Sequence, residues 1–255
     1  MRVLKFIPKE KIKVHTWITK YGTKVIRLNN FRCNCYFIVK ENNAILVDTS
    51  IRAERSIIEK AMKKVGIDKP VAIVLTHNHF DHAGNVEFFR RKYNCDVIIH
   101  EKDYEGLRKG YTDLPDGINQ PFKSATRFIN SRKIILPFQK FPPCPKAIPV
   151  SDGVILKKYG INARILSTPG HTDGSISIIV DEEIALVGDC MVRSVNGEIF
   201  PPFAKHPEEV TRSWIKLINT GCRFFLPAHG NENSSEYVRK KMKKQLNTIM
   251  LKRIK

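Results

Sequence analysis

The chain has 255 residues, of which 42% are hydrophobic and 27% are charged, and these values are ordinary for a soluble globular protein with a substantial core. No stretch approaches the roughly 20 apolar residues of a membrane-spanning helix, and residues 1–8 lack the apolar core of a signal peptide, so we expect neither membrane insertion nor export. The net charge of +19 allows an anionic small substrate or a nucleic acid as the partner.

The first half of the chain alternates predicted strands with predicted helices. Short apolar runs bounded by turn residues predict strands near 24–28, 35–40, 44–48, 71–76 and 96–100. Apolar residues at helical spacing predict helices near 52–65 and 83–93. This order is typical of an α/β protein in which polar loops at the strand ends carry the functional residues.

A dense group of possible metal ligands follows the fourth of these strands. Residues 76–82 read Thr-His-Asn-His-Phe-Asp-His, and imidazole and carboxylate are donors that zinc, iron and manganese accept. In an extended segment His77 and His79 share one face, so both can bind one ion. Asp81 and His82 follow the turn and point elsewhere, which favours a second ion close by.

The segment from about 101 to 150 breaks the alternating pattern, because it is rich in Pro, Lys and aromatic residues. It is too long for a simple connection, so we expect short helices that pack as a cover over the domain, and we call it the cover segment. Its apolar residues either line a substrate pocket or form a separate hydrophobic cluster; they are Tyr104, Leu107, Tyr111, Phe122 and Phe128. A second possible rim of the pocket lies at 200–206.

The second half repeats the plan of the first and supplies three more possible ligands. Apolar runs predict strands near 153–158, 163–167, 175–180, 184–188 and 223–227, and a helix begins at Pro207. Three of these strands run into a donor beside Gly or Pro, and these donors are His171, Asp189 and His229. Each donor alone is a weak signal, but four such segments in one chain together predict a metal centre.

Six cysteines are scattered along the chain without the spacing of a redox or zinc motif. Free and mostly buried thiols in a reducing cytoplasm are therefore expected. Cys190 adjoins Asp189, and we interpret it as a small core residue rather than as part of the site.

The order of these motifs, HxHxDH followed by His, Asp and His, resembles the metallo-β-lactamase-fold hydrolase superfamily. Residues 168–175, Thr-Pro-Gly-His-Thr-Asp-Gly-Ser, are similar to its glyoxalase II-like branch. The resemblance implies a four-layer αβ/βα sandwich, with two stacked mixed sheets and helices outside, as one domain over 1–255. It also implies one ion on His77, His79 and His171, and another on Asp81, His82 and His229. Asp189 would bridge the two ions.

The function implied by the resemblance is a binuclear metal-dependent hydrolase of the cytoplasm, in which a bridging hydroxide attacks the carbonyl of a thioester, ester or lactone. Asp81 would be the catalytic residue that orients the hydroxide and passes a proton to the leaving group. Two divalent ions are implied, with zinc first and iron or manganese as alternatives. Asp48 would fix a ligand imidazole. The alternative function is a metal-dependent phosphodiesterase or nuclease of the same fold, which the net charge invites.

Overall fold

The computed structural model describes residues 14–28, 32–113, 117–118, 120–131 and 139–253, and among them all side chains except those at 120–122, 130 and 245–253. Within these residues two β-sheets stack face to face, and helices cover the outer face of each sheet. No helix in these ranges is both long enough and apolar enough to cross a membrane.

The first sheet has seven strands that lie side by side in chain order. They are β1 (Val14–Ile18), β2 (Lys24–Leu28), β3 (Cys35–Lys40), β4 (Asn43–Val47), β5 (Ala72–Val74), β6 (Asp96–His100) and β7 (Ile148–Val150). Neighbours from β1 to β4 pair antiparallel, and neighbours from β4 to β7 pair parallel. The carboxyl ends of the three central parallel strands therefore meet at one edge of the sheet.

The second sheet has five strands in the order β12-β11-β10-β9-β8. They are β8 (Ala163–Ser167), β9 (Ile176–Val180), β10 (Ile184–Gly188), β11 (Phe224–Pro227) and β12 (Asn233–Ser234). Only β10 and β11 pair parallel within this sheet, and the other neighbours pair antiparallel. Both sheets are therefore mixed, as predicted.

Seven α-helices lie in the described part of the chain. They are α1 (Arg55–Lys64), α2 (Phe80–Ala83), α3 (Val86–Tyr93), α4 (Glu101–Lys109), α5 (Gln120–Ser131), α6 (Pro207–Asn219) and α7 (Ser235–Arg253). Two 3-10 turns accompany them, at Arg52–Glu54 and Leu156–Tyr159. The cover segment thus contains α4 and α5, which agrees with the short helices that we predicted there.

Strand periodicity separates the core into layers. Phe37 and Leu46 point from the first sheet towards α1 and α3, where they pack with Ile58 and Phe89. The alternate residues of the same strands point the other way and pack against the second sheet, as Ile38 does. The outer face of the second sheet packs against α6 and α7. The result is the four-layer α/β sandwich that the sequence predicted.

Helix α6 shows how the sequence fixes one of these layers. Pro207 occupies its first turn, where the missing N–H costs no hydrogen bond, and Glu208 and Glu209 lie at the positive end of the helix dipole. Trp214 is buried against the second sheet, and its Nε1 donates a hydrogen bond to the carbonyl oxygen of Cys190 at 2.7 Å. This contact anchors the chain one residue after Asp189. Cys190 is a buried core residue, as we expected.

Two predicted elements differ from the structure. The strand predicted at 153–158 is wrong, because Leu156–Tyr159 forms a 3-10 turn and only a single bridge joins Ile155 to Arg164. The helix predicted at 83–93 begins only at Val86, because the backbone N–H of Asn85 donates to Oγ1 of Thr49 at 3.2 Å and its side chain donates to the carbonyl oxygens of Thr49 and Ile51. Tertiary hydrogen bonds therefore override the helical pattern at this point.

The two sheets contact each other directly where β5 and β10 end. A Cβ at Gly188, where φ is +50°, would lie 2.7 Å from the Cβ of Thr76, which is closer than side chains can approach. The carbonyl oxygen of Thr76 also accepts a hydrogen bond from the N–H of Ile176 at 2.9 Å. Thr76 thus contacts the second sheet directly, one residue before His77.

Candidate metal centre

All seven predicted ligands lie at one edge of the sandwich, on loops and on the short helix α2. The loop after β5 and helix α2 carry His77, His79, Asp81 and His82, while the loop between β8 and β9 carries His171. Asp189 and His229 follow β10 and β11, the parallel pair of the second sheet. The structure therefore brings together, from both sheets, every residue that the sequence predicted for the site.

Six of these residues form two groups of three. The imidazoles of His77, His79 and His171 have donor atoms within 4.8 Å of one another, and Nε2 of His171 lies 2.9 Å from Nδ1 of His79. Asp81, His82 and His229 form a second group within the same limit. These are the two sets of three that the family resemblance implied.

Asp189 lies between the two groups. Its Oδ1 is 3.5 Å from Nε2 of His82 and 3.4 Å from Nε2 of His229, both in the second group. Its Oδ2 is 3.5 Å from Nε2 of His171, in the first group. One carboxylate oxygen thus faces each group, as a bridging carboxylate would.

Hydrogen bonds from outside the two groups fix the orientation of the rings. Asp48 accepts from Nδ1 of His82 at 2.9 Å, which leaves Nε2 of that ring facing Asp189. Nδ1 of His171 donates to the carbonyl oxygen of Phe203 at 2.8 Å, so its Nε2 is free of the proton when the ring is neutral. Such outer hydrogen bonds are typical of metal-binding histidines. The predicted contact between Asp48 and a ligand imidazole is present.

Electrostatics divide the histidines into two kinds. Burial lowers the pKa values of His77 and His79 well below the ordinary value, and it lowers the pKa of His171 as well, so these rings are neutral donors near pH 7. Burial also opposes the charge on His82, but the carboxylates of Asp48 and Asp189 outweigh it and raise the pKa of His82 to about 10.

The pKa of Asp189 itself lies well below its ordinary value. Burial alone would raise that pKa, and the imidazoles of His229, His82 and His171 reverse the effect. Asp189 therefore stays a carboxylate, which is the form that binds a cation.

Three buried polar atoms at the centre have no hydrogen-bond partner, and they are Nε2 of His77, Nε2 of His82 and Oδ1 of Asp189. Buried polar atoms in folded proteins are nearly always hydrogen-bonded, so three orphans at one point need an explanation. Neutral imidazoles and a carboxylate that converge in this way match the donor set of zinc, iron or manganese. The residues present therefore fit divalent cations.

A cavity of about 650 Å³ opens onto the two groups. Its lining residues come from the two groups, from α5 and from the loops after β10 and before α6; they are His79, Phe80, Asp81, Ala125, Thr126, Ile129, His171, Asp189, Val192, Arg193, Ser194, Pro202, Phe203 and His229. The rim predicted at 200–206 therefore does contribute to the cavity, through Pro202 and Phe203.

The cover segment contributes to this cavity, but not through the four singled-out residues whose side chains the structure describes. Leu107 is buried in the core between the first sheet and its helices, and Phe128 is 57% exposed on the far side of α5. The hydroxyl of Tyr104 donates to the carbonyl oxygen of Pro145, and the hydroxyl of Tyr111 donates to Asp113. The side chain of Phe122 lies outside the described residues. Ala125, Thr126 and Ile129 form the wall instead.

Asp103 is a residue of the site that the sequence reasoning missed. Its Oδ2 accepts hydrogen bonds from the N–H of Asn78 at 3.3 Å and from Oγ1 of Thr172 at 2.8 Å, and its Oδ1 accepts from the N–H of Gly174 at 3.1 Å. It therefore ties the loop of His77 and His79 to the loop of His171.

Burial raises the pKa of Asp103 to about 6. A signal for this residue was present in the sequence, because Asp103 follows the end of β6 just as the ligands follow the ends of their own strands.

The three other histidines lie away from the two groups, in agreement with their lack of a motif. The ring of His15 packs on Trp17 in β1, and His100 accepts a hydrogen bond from the N–H of Lys102 at the start of α4. His206 precedes α6, and its Nε2 lies 3.1 Å from Oδ1 of Asp173.

Comparison with known proteins identifies the family. Residues 28–229 match the model of the metallo-beta-lactamase superfamily, which is most of the chain. The chain belongs to this superfamily. It is 29% identical over 167 residues to the probable metallo-hydrolase MJ0888 of Methanocaldococcus jannaschii, in an alignment that covers 65% of this chain and 71% of that protein. It is 28% identical over 232 residues to the uncharacterized protein YobT of Bacillus subtilis, in an alignment that covers 84% of this chain and 91% of that protein.

Solved structures share the fold of this superfamily member. The metallo-beta-lactamase family protein TTHA1429 from Thermus thermophilus superposes with a TM-score of 0.65 at 22% identity, over 93% of this chain and 79% of that one. TTHA1623 in a di-iron-bound form superposes with a TM-score of 0.59 at 21% identity, over 85% of this chain and 97% of that one. The fold and family predictions are therefore confirmed, whereas the placement in the glyoxalase II-like branch stays a prediction.

Proposed function

We propose that the protein is a binuclear metal-dependent hydrolase that cleaves the carbonyl bond of a thioester, ester or lactone. The observation that carries the proposal is the position of Asp189, whose two oxygens face two separate groups of three donors. One such group alone would indicate a single ion. Two groups with a shared carboxylate favour two ions side by side.

The enzyme class has the firmest support. Membership of the superfamily agrees with a hydrolase, and two of its relatives, MJ0888 and the Bacillus subtilis protein YqgX, are named probable metallo-hydrolases. The fold is compatible with two ions, since TTHA1623 is described in a di-iron-bound form. Zinc is the first choice for this chain, with iron or manganese as alternatives, because mixed imidazole and carboxylate sites accept all three.

The residues of the chain have separate roles in the proposed reaction. His77, His79 and His171 would hold one ion, Asp81, His82 and His229 the other, and Asp189 both. Two divalent ions bound there would act as Lewis acids and lower the pKa of water towards neutrality. Asp48 would keep the Nδ1 proton on His82, and the carbonyl oxygen of Phe203 would do the same for His171.

Asp81 is the proposed proton carrier. Its Oδ2 lies 3.6 Å from Nε2 of His229, and its side chain also lines the cavity, so one carboxylate contacts both the centre and the space for substrate. A group at this place can take a proton from the attacking water and deliver it to the leaving group.

The proposed substrate is a small molecule rather than a macromolecule. A cavity of about 650 Å³ is the usual size of a small-molecule site. The residues 168–175 that resemble the glyoxalase II-like branch favour a thioester within this class. A cytoplasmic location belongs to the proposal too, because all six cysteines are free and five of them are buried.

The test combines elemental analysis with a substrate panel. Purified native protein is expected to carry about two equivalents of zinc, iron or manganese and to hydrolyse a chromogenic thioester or p-nitrophenyl ester in a chelator-sensitive manner. Activity only on bis-p-nitrophenyl phosphate would instead establish the alternative phosphodiesterase. The variants His79→Ala and Asp189→Ala should lose turnover and metal together, while the matched control His15→Ala should keep both. Full activity in either ligand variant would contradict the proposal.

A further inference from the structure

The cavity over the candidate metal centre has walls that are largely apolar beyond the ligands themselves. Helix α5 contributes Ala125 and Ile129, and the loop before α6 contributes Pro202 and Phe203. Val192 and Phe80 also line it. An apolar wall favours apolar ligands, since each apolar group that leaves water for such a wall stabilises the complex.

Little of the large positive charge of the chain lies at the part of this cavity that the structure describes. Among its described lining residues Arg193 is the one Lys or Arg side chain, and its guanidinium is already engaged. Nη1 of Arg193 donates to Oδ1 of Asn233 at 3.0 Å, and the guanidinium lies 3.7 Å from the ring centroid of Tyr237. Among the described lining residues an anionic tail would therefore find a single cationic side chain, which is already held by Asn233 and Tyr237.

Hydrogen bonds connect the apolar wall to the candidate metal centre. The N–H of Ile118, just before α5, donates to the carbonyl oxygen of Pro202 at 3.1 Å, and a β-bridge joins Gly117 to Phe203. The carbonyl oxygen of Phe203 in turn accepts from Nδ1 of His171. A continuous set of hydrogen bonds thus connects the cover segment to a ligand, so α5 is fixed at a defined place over the centre.

From these contacts we infer that the site selects substrates with an uncharged, apolar acyl group of several carbons, and that Ala125 and Ile129 determine this specificity. The inference rests on the proposed hydrolase function. It narrows the substrate class to uncharged acyl groups, whereas the net charge alone also allowed an anionic molecule. The acyl chain lies between α5 and the pair Pro202 and Phe203, while the carbonyl faces the two groups of donors.

A series of p-nitrophenyl esters tests the inference with metal-loaded protein. From acetate through butyrate to hexanoate, kcat/KM is expected to rise about fourfold with each added methylene, which corresponds to about 0.8 kcal/mol per buried CH₂. The p-nitrophenyl monoester of succinate, which has the four-carbon length of the butyrate ester but carries a carboxylate, is expected to react at least about tenfold more slowly than the butyrate ester.

Two variants of wall residues in α5 and one control variant on the same helix test which side chains determine the specificity. Ile129→Asp places a charge in the wall and should lower kcat/KM for the hexanoate ester at least about tenfold more than it lowers kcat/KM for the acetate ester. Phe128→Asp is its matched control, because it adds the same charge to the same helix at a side chain that is 57% exposed. Ala125→Leu narrows the cavity without adding charge and should shorten the preferred acyl chain.

Calorimetric binding of free carboxylates separates a failure of this inference from a failure of the proposed function. Octanoate should bind more tightly than butyrate, and succinate should bind no more tightly than butyrate. Ile129→Asp should weaken the binding of octanoate more than the binding of butyrate. A protein that binds octanoate in this way but hydrolyses no ester would overturn the proposed function and keep the apolar site. A protein that hydrolyses esters without regard to chain length, or that prefers the succinate ester, would overturn the inference and keep the function.

Discussion

The carboxylate of Asp48 accepts a hydrogen bond from Nδ1 of His82 at 2.9 Å, with Oδ2 as the acceptor. The same carboxylate accepts from the N–H of Thr76 at 2.8 Å and from its hydroxyl at 2.9 Å. Asp48 has a φ of 59°, which Asp and Asn tolerate better than other side chains. Asn can therefore replace Asp48 without strain in the backbone, and the role of its charge can be measured separately.

Asp48→Asn should weaken metal binding at the group that contains His82. The loss of the charged acceptor makes that imidazole a poorer ligand, and changes of this kind typically cost about 10- to 100-fold in metal affinity. Titration of metal-free protein with Zn²⁺ against a chromophoric chelator measures the effect. Asp181→Asn is the matched control, because Asp181 is also buried, has a φ of 51° and accepts hydrogen bonds from Thr19 and Asn162. Equal affinities in the two variants would refute the role of Asp48.

Asp189→Asn should reduce the metal content more than the loss of any single-group ligand. Its carboxylate faces both groups, so its neutralisation weakens both ions at once, and kcat/KM should fall at least about 100-fold. Metal analysis after gel filtration gives the stoichiometry. Asp173→Asn replaces a half-buried aspartate that pairs with Lys205, and as the control it should retain full metal. Retention of both ions by Asp189→Asn would exclude a shared carboxylate.

Removal of metal should lower the melting temperature of the wild-type protein. A ligand at 100 times its Kd stabilises the folded state by about 2.7 kcal/mol, which for a chain of this size corresponds to about 5–10 °C. Differential scanning calorimetry with and without chelator gives the shift. The Asp189→Asn variant should show a much smaller shift, and an equal shift in both proteins would place the stabilising metal elsewhere.

Asp103 should make the stability of the metal-free protein depend on pH between about 4 and 6. Burial raises the pKa of Asp103 from 3.8 to about 6, so in this range the folded state binds more protons at Asp103 than the unfolded state does. The contribution of Asp103 to stability is therefore present below about pH 4 and is lost as the pH rises through about 6.

Asp103→Asn removes this titration. Relative to the wild type, its free energy of unfolding should rise by on the order of 2 kcal/mol as the pH increases from 4 to 7, whatever the offset between the two proteins at pH 4. Urea unfolding at a series of pH values measures the difference. A constant difference across the range would show that Asp103 has no raised pKa.

Trp214→Ala should destabilise the protein by about 3–5 kcal/mol, because a large buried side chain leaves a cavity and the carbonyl oxygen of Cys190 loses its donor. Ile215→Ala is the control on the same helix, since Ile215 is 41% exposed. Its cost should be within about 1 kcal/mol. Urea unfolding compares the two variants. A loss of stability in Trp214→Ala as small as that in Ile215→Ala would mean that Trp214 contributes little to the core.

The strands and the candidate ligands were largely predictable from the sequence, because both depend on local patterns. β4 is a short apolar run, β5 lies within another, and Asp48 and His77 follow them closely enough that the strand ends determine where they lie. Because β4 and β5 pair in parallel, the residues that follow them lie at the same edge of the sheet, independently of the other elements. The seven residues could therefore be chosen before their distances were known. Their assignment as ligands stays a prediction, as does a single domain over 1–255.

Elements that depend on tertiary contacts were not predictable in this way. β7 contains Pro149, which argues against a strand, but it lies at the edge of the first sheet, where the missing N–H costs no pairing. The residues that line the cavity could not be predicted from the amphipathic pattern of the cover segment alone. Phe128 and Ile129 are neighbours in α5, and only the packing of the helix decides that Ile129 lines the cavity and Phe128 does not.

The spacing within the candidate metal centre depends on the absence of a side chain at Gly188. A Cβ at this position would collide with Thr76. The short distance between the ends of β5 and β10 therefore requires a residue without a side chain. The candidate ligands from the two sheets could share ions only while that distance stays short. A residue that binds no ion itself would therefore determine the distances between the candidate ligands of the two sheets.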